Sequence, residues 1–306
     1  MEHRVVSDTG AGAVSDAGWM SALAVTRVDL SLGLPAAMTS PPSPSVAIRG
    51  ALGAALWDIA CVDDRRDCSA CRARRGCPIP GWFHPAITGG HQARPFVVEV
   101  DTDDLRWQVG LWFFGVPPDP GLVEQALRRL VRRGVWPDHL PLQLESAVVT
   151  GVDRRDLLAG ERWPAPGRLS DFVSVPAWPV GMELRLRSPT WFTGCPRRQP
   201  PDAIRCVKAA IMRLRSVAMA QGVSLSRWWP DATALRGQWA DARFLRSERR
   251  SGRTGERIDL SGWVGTLHIG PDVAAFADLF AAMEVLHLGK NTSAGAGRLE
   301  LQWPES

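Results

Sequence analysis

Four cysteines crowd one short stretch, Cys61, Cys68, Cys71 and Cys77, spaced C-x6-C-x2-C-x5-C. The Cys68-x-x-Cys71 knuckle lets two thiolates share a tetrahedral ion, and four thiolates close a structural zinc site with no open catalytic position. Arg65, Arg66, Arg72, Arg74 and Arg75 stand around them and would offset the thiolate charge. Iron, or a set of reduced thiols, fits the same spacing. Cys195 and Cys206 read as ordinary semi-buried side chains.

A second group lies far along the chain, in Leu286-His-Leu-Gly-Lys-Asn-Thr-Ser-Ala-Gly-Ala-Gly-Arg298. Gly289, Gly295 and Gly297 bracket a loop whose backbone N–H groups can approach phosphate oxygens where side chains are missing. The stretch has no Walker pattern, which disfavours a nucleotide triphosphatase. His287 can give or take a proton near neutral pH, and Lys290 can hold a phosphate. His287 reads equally as a cap at the end of its helix. A third group, Arg243 to Arg257, puts six arginines into a Gly- and Ser-containing run that can track a polyanionic backbone. A solvated loop is its plainer reading. Arg128, Arg129, Arg132 and Arg133 read as the solvated face of a helix.

Composition narrows the partners. Lys208 and Lys290 are the only lysines among 36 basic residues, net charge is +4 and the pI is near 8.9. Arginine's planar fork grips phosphate in pairs of hydrogen bonds and stacks on bases, so the balance favours an anionic partner such as nucleic acid. Codon bias toward arginine explains the same excess without function. Tyrosine is absent, which removes any phenol-based mechanism. No apolar run approaches the roughly 18 residues of a membrane span. Met1 to Gly18 lacks the apolar core of a signal peptide, so the expected location is the cytoplasm.

The 306 residues predict two domains. In the first, Leu23–Leu32 reads as a strand and Val46–Val62 as a helix carrying the small residues Gly50 and Gly53. Pro95–Val100 and Leu105–Phe114 follow as strands, then the amphipathic helix Pro120–Arg133 and the strand Leu142–Val152. In the second, Met182–Leu186 is a strand, Pro201–Ala220 a helix, Ala234–Phe244 and Ile258–Ile269 strands, Val273–Leu286 a helix and Arg298–Trp303 a strand. The expectation is an α+β chain of two tandem ferredoxin-like (βαββαβ) domains. Residues 1–155 would form the first, with a cysteine-rich insertion at 61–94, and 180–306 the second, joined by an Arg/Pro/Gly-rich linker at 156–179.

Four pieces of this chain resemble the CRISPR repeat-processing endoribonucleases of the repeat-associated mysterious protein (RAMP) superfamily. Ile48-Arg-Gly-Ala-Leu-Gly-Ala-Ala-Leu56 is similar to the family's first helix. The cysteine cluster followed by Pro95-Phe96 is similar to an insertion seen in one branch. Ser247-Glu-Arg-Arg250 with Leu260-Ser-Gly-Trp-Val-Gly265 is similar to its arginine-rich hairpin and the strand after it, and Leu286–Arg298 to its signature glycine loop. The resemblance implies cleavage of CRISPR precursor RNA within its repeats, without a catalytic metal, by attack of a ribose 2′-OH on the adjacent phosphate. The product would stay bound, with other effector-complex subunits as further partners. It also implies that Gly289, Asn291, Thr292, Gly295, Gly297, Arg298, Arg246, Arg249, Arg250 and Arg253 bind RNA. His287, Lys290 and Arg49 are then the catalytic candidates. Many members carry a histidine at or after the first helix, where this chain has only Arg49, with His84 and His91 in the loop beyond the cysteines. That departure favours, as an alternative, a RAMP subunit that holds the guide RNA without cutting it.

Overall fold

The computed structural model describes residues 18–38, 41–63, 67–74, 76–83, 93–103, 105–115, 119–176, 179–225, 229–250 and 255–304. The first half runs β1 (Ala24–Gly33), α1 (Pro44–Ala60), α2 (Pro78–Phe83), β2 (Phe96–Thr102), β3 (Arg106–Phe114), α3 (Pro120–Arg133) and β4 (Gln143–Thr150). Its antiparallel sheet is ordered β2-β3-β1-β4, so the two strands that precede helices, β1 and β3, lie side by side at the centre with β2 and β4 flanking them, as a ferredoxin-like βαββαβ unit requires. The short strand β5 (Arg154–Asp156) extends the edge beyond β4, and β6 (Gly167–Arg168) pairs with the start of β1. The segment expected to be a linker is therefore partly stitched into the first sheet, and Leu169 is fully buried.

The second half runs β7 (Met182–Thr190), α4 (Ala203–Ala220), β8 (Gly237–Trp239), β9 (Arg243–Leu245), β10 (Glu248–Arg250), β11 (Arg257–Asp259), β12 (Gly262–Ile269), α5 (Ala277–Leu286) and β13 (Leu299–Gln302). Its sheet order, β13-β7-β12-β8, repeats that of the first half. Two expected long strands are each divided. Ala234–Phe244 becomes β8 and β9, and Ile258–Ile269 becomes β11 and β12, because β10 and β11 leave the sheet and pair with each other as a separate hairpin. Residues 273–276, expected at the start of the last helix, belong instead to a 3-10 turn (Pro271–Phe276) ahead of α5.

Alternation along the strands explains the packing. Even positions of β1 and β2 (Val28, Leu30, Leu32; Phe96, Val98) bury against α1, α2 and α3, whose Leu52, Leu56, Phe83 and Leu127 share that core. Odd positions (Val25 and Val97), together with Trp112 and Phe114 of β3, join a second core built mainly by α4, α5 and β7. The first sheet is thus covered on both faces, one by its own helices and part of the other by those of the second half. Arg213 of α4 lies over the Phe114 ring at 5.7 Å and donates from Nε to the carbonyl of Leu286 at the end of α5, 2.9 Å away. A cation there meets the negative end of the helix dipole.

Candidate functional site

The site begins at β2. Glu99 and Asp101 are two residues apart, so both project from the face turned toward the second half. His287, one residue beyond α5, is fully buried, with Nε2 2.8 Å from Glu99 Oε1 and Nδ1 3.2 Å from the carbonyl of Ala296. Both ring nitrogens are thus engaged, one by a carboxylate and one by a backbone carbonyl. Burial works to raise the Glu99 pKa, yet the hydrogen bond and charge of His287, with the charge of Arg298, hold it below the usual range. Next to it Arg298 clasps Asp101 with two bonds of 2.6 and 2.9 Å, which depresses the Asp101 pKa and raises that of Arg298.

These two ion pairs fix the glycine loop to β2. His287 and Asn291 both adopt positive φ, +59° and +61°, conformations that cost a non-glycine residue energy and persist only where other contacts hold them. A Cβ on Gly295 would stand 2.4 Å from the Ser45 Cβ in the first turn of α1, and one on Gly297 would stand 1.9 Å from the Leu288 carbonyl. The glycines therefore serve close packing. Their N–H groups are already bonded, Gly295 to the Thr292 carbonyl at 3.0 Å and Gly297 to that of Pro189 at 3.2 Å.

This corrects several expectations. Gly295 and Gly297 do not offer free N–H groups to phosphate, and Thr292 is buried. Arg298 is committed to Asp101, and the Asn291 amide donates to the Asp259 carbonyl. His287 is enclosed and bonded at both ring nitrogens, which ties the loop to β2. Lys290 remains exposed, with Gly289 half-buried beside it, and Arg246 is exposed on the chain leading into β10. Arg253, His84, His91 and the side chain of Arg250 lie outside the described residues.

Where the loop meets α1 and the β10–β11 hairpin, three guanidinium groups converge. Arg49 comes from the second turn of α1, Arg94 from the residues leading into β2, and Arg249 from β10. Arg49 lies 5.0 Å over the Phe83 ring, which Gly53 of α1 allows to approach. Burial, with the charges of Arg249 and Arg94, pushes the Arg49 pKa down to about 9. Arg94 donates to the Phe83 carbonyl at 3.2 Å and reaches Ser293 Oγ of the glycine loop at 3.5 Å. Burial lowers the pKa of Arg94, and burial with the Arg94 charge lowers that of Arg249. Among the described residues no carboxylate forms an ion pair with any of the three, and the Nε atoms of Arg49 and Arg249 are buried without a hydrogen-bond partner. Half-buried cations crowded together without counter-charge repel one another, and a phosphate is the group that would satisfy all three at once.

Sequence reading missed Arg94, Glu99 and Asp101. The two acids were discoverable, because carboxylates on alternate positions of an otherwise apolar strand (FVVEVDT) need partners. Arg94 carried no such signal, since its neighbours arrive from distant parts of the chain.

Comparison with known proteins follows the two halves. Residues 184–299 match the family described as CRISPR-associated endoribonuclease Cas6, and residues 23–151 match the N-terminal domain AF_1859_N. A search of curated proteins gave no match. Among solved structures, a Thermus thermophilus Cas6 is 15% identical with a TM-score of 0.50. A Cas6 product complex, 15% identical, covers 91% of this chain and 99% of its own at a TM-score of 0.52. A partial Cas6-RT-Cas1–Cas2 complex is 10% identical at 0.54, over 92% of this chain and 46% of the other. At these identities the likeness concerns the fold, that of two ferredoxin-like units in tandem.

Proposed function

Since this chain belongs with the Cas6-type RAMP proteins of CRISPR systems, we propose that it is the endoribonuclease that cuts CRISPR precursor RNA within its repeats. The observation that carries this reading is the cluster of Arg49, Arg94 and Arg249, without a carboxylate partner among the described residues, at the junction of α1, the glycine loop and the basic hairpin. A phosphodiester drawn into that cluster would be held on three sides, with Lys290 and Arg246 following the flanking backbone.

The chemistry needs no group beyond the chain and the RNA. The 2′-oxygen forms a bond to the adjacent phosphorus and its proton leaves to solvent. The bond from phosphorus to the 5′-oxygen breaks, giving a 2′,3′-cyclic phosphate and a 5′-OH. The guanidinium groups stabilise the extra negative charge of the phosphorane, which is where preorganised cations contribute most. Arg49, whose pKa burial lowers to about 9, would deliver the proton to the departing 5′-oxygen. Retention of the product follows from the same cluster, because the cyclic phosphate keeps its charge.

The burial of His287 favours one other reading, a guide-holding subunit that binds the same RNA without cutting. Incubating the protein in EDTA with a repeat RNA, beside the same RNA carrying a 2′-deoxy sugar at the cut site, separates them. Cutting of the first and protection of the second is expected. Cutting of both excludes attack by the ribose, and tight binding without any cutting establishes the guide-holding subunit.

A further inference from the structure

The cysteine-rich segment takes no part in the arginine cluster, yet its placement is specific. Cys61 caps the C-terminus of α1, its N–H bonded to the Trp57 carbonyl at 3.1 Å, and Cys77 directly precedes α2. Between them Asp67 accepts from the N–H and Oγ of Ser69 at 2.9 and 2.5 Å, turning the chain between Cys68 and Cys71. Arg74 closes the next turn by donating to the Ser69 carbonyl at 3.0 Å. Residues 61–77 hold no helix or strand among those described, and only Cys68 reaches full burial in the first core, with Cys61 and Cys77 packed at its edge. A stretch of this length without secondary structure needs some other anchor.

All four cysteines line one cavity of about 490 Å³, together with Arg72 and Arg74. None of them is in a disulfide. Among the described residues no three candidate ligands already stand as a metal cage, so an ion would draw the thiolates inward and close the turns around itself, coupling binding to folding of the segment.

We propose that Cys61, Cys68, Cys71 and Cys77 bind one structural Zn2+ that staples the end of α1 to the start of α2. The site would fix Phe83 at the end of α2, and through it the platform on which Arg49 rests. Four thiolates leave the ion two negative charges, which Arg72 and Arg74 are placed to offset. Because α1 and α2 are adjacent in the same core, the staple links two rigid ends rather than a free loop.

The experiment is elemental analysis and zinc-edge X-ray absorption on the purified full chain, beside a Cys68→Ser, Cys71→Ser variant. The expected result is about one zinc per chain that survives gel filtration in a mild chelator, with four Zn–S distances near about 2.3 Å. The variant should lose the metal and be cut faster by protease within residues 61–77. Should the variant fail to fold, the native protein's metal content and absorption spectrum still decide. Metal-free protein with four titratable thiols, iron in place of zinc, zinc removed by the mild chelator, or zinc undiminished in the folded variant would each overturn the proposal.

Discussion

A histidine with an acceptor at each ring nitrogen is committed to structure before chemistry can use it. His287→Ala leaves Glu99 buried beside an empty space, and losing one partner of a buried pair costs about 3–5 kcal/mol. Urea denaturation of that variant should show a loss of this size. Its cleavage rate at saturating RNA, measured where the variant is folded, should stay within a few-fold of the parent, since the imidazole touches no reacting atom. Arg94 presents the opposite case. Its replacement by Ala removes one of three phosphate donors and should slow single-turnover cleavage by on the order of 10²-fold, the usual consequence of deleting a preorganised oxyanion donor. At this scale the sequence was a partial guide: Arg49 and Arg249 were legible as cations on a helix and a hairpin. The roles of His287 and Arg298 were not, because pairing with Glu99 and Asp101 depends on a packing partner 188 to 197 residues away.

The glycine loop acts as a wedge driven between α1 and β2. Gly297→Ala would place a methyl carbon 1.9 Å from a backbone oxygen at φ +75°. Backbone cannot yield as a flexible side chain does, so this single methyl should lower the melting temperature by several degrees and weaken RNA binding with it. Differential scanning calorimetry and a binding titration check the two effects. Elements themselves were well foreshadowed. The helix Pro120–Arg133 was bounded to the residue by Asp119, whose side chain accepts from Gly121 and Leu122, and by Gly134. The arginine-rich hairpin was foreseen, but its second strand was merged with β12, because only Leu260 and Ser261 separate Arg257–Asp259 from Gly262–Ile269 and only three-dimensional pairing tells the two apart.

Across the whole molecule, one hydrophobic core runs through both halves, from Trp19 and Val25 to Phe280 and Leu299. Burial shared in this way makes the halves unfold together. The salt links of β2 add an acid sensitivity to that joint unfolding. Glu99 and Asp101 both have pKa values depressed in the folded protein. Their stabilisation is complete above the unfolded carboxylate range of about 4 and drains away as pH falls through their lower folded values. Thermal scans from pH 7 to pH 3 should therefore show a single transition whose midpoint falls steeply only at the acid end, and Asp101→Asn should flatten that fall. The duplicated fold was legible from element order. The shared core was not, because an apolar residue on a strand's second face looks the same whether its cover comes from nearby or from the other half.

The bond between Arg94 and Ser293 spans 199 residues, and that separation has a consequence for biosynthesis. At 5–20 residues per second a ribosome needs on the order of 10–40 s to travel from one to the other. During that interval α1 and β2 have emerged with their wedge still unmade, and the three-arginine pocket lacks its third wall. The pocket is complete only after the glycine loop has been made and has packed against α1 and β2, so its assembly waits on residues far downstream of its first two walls.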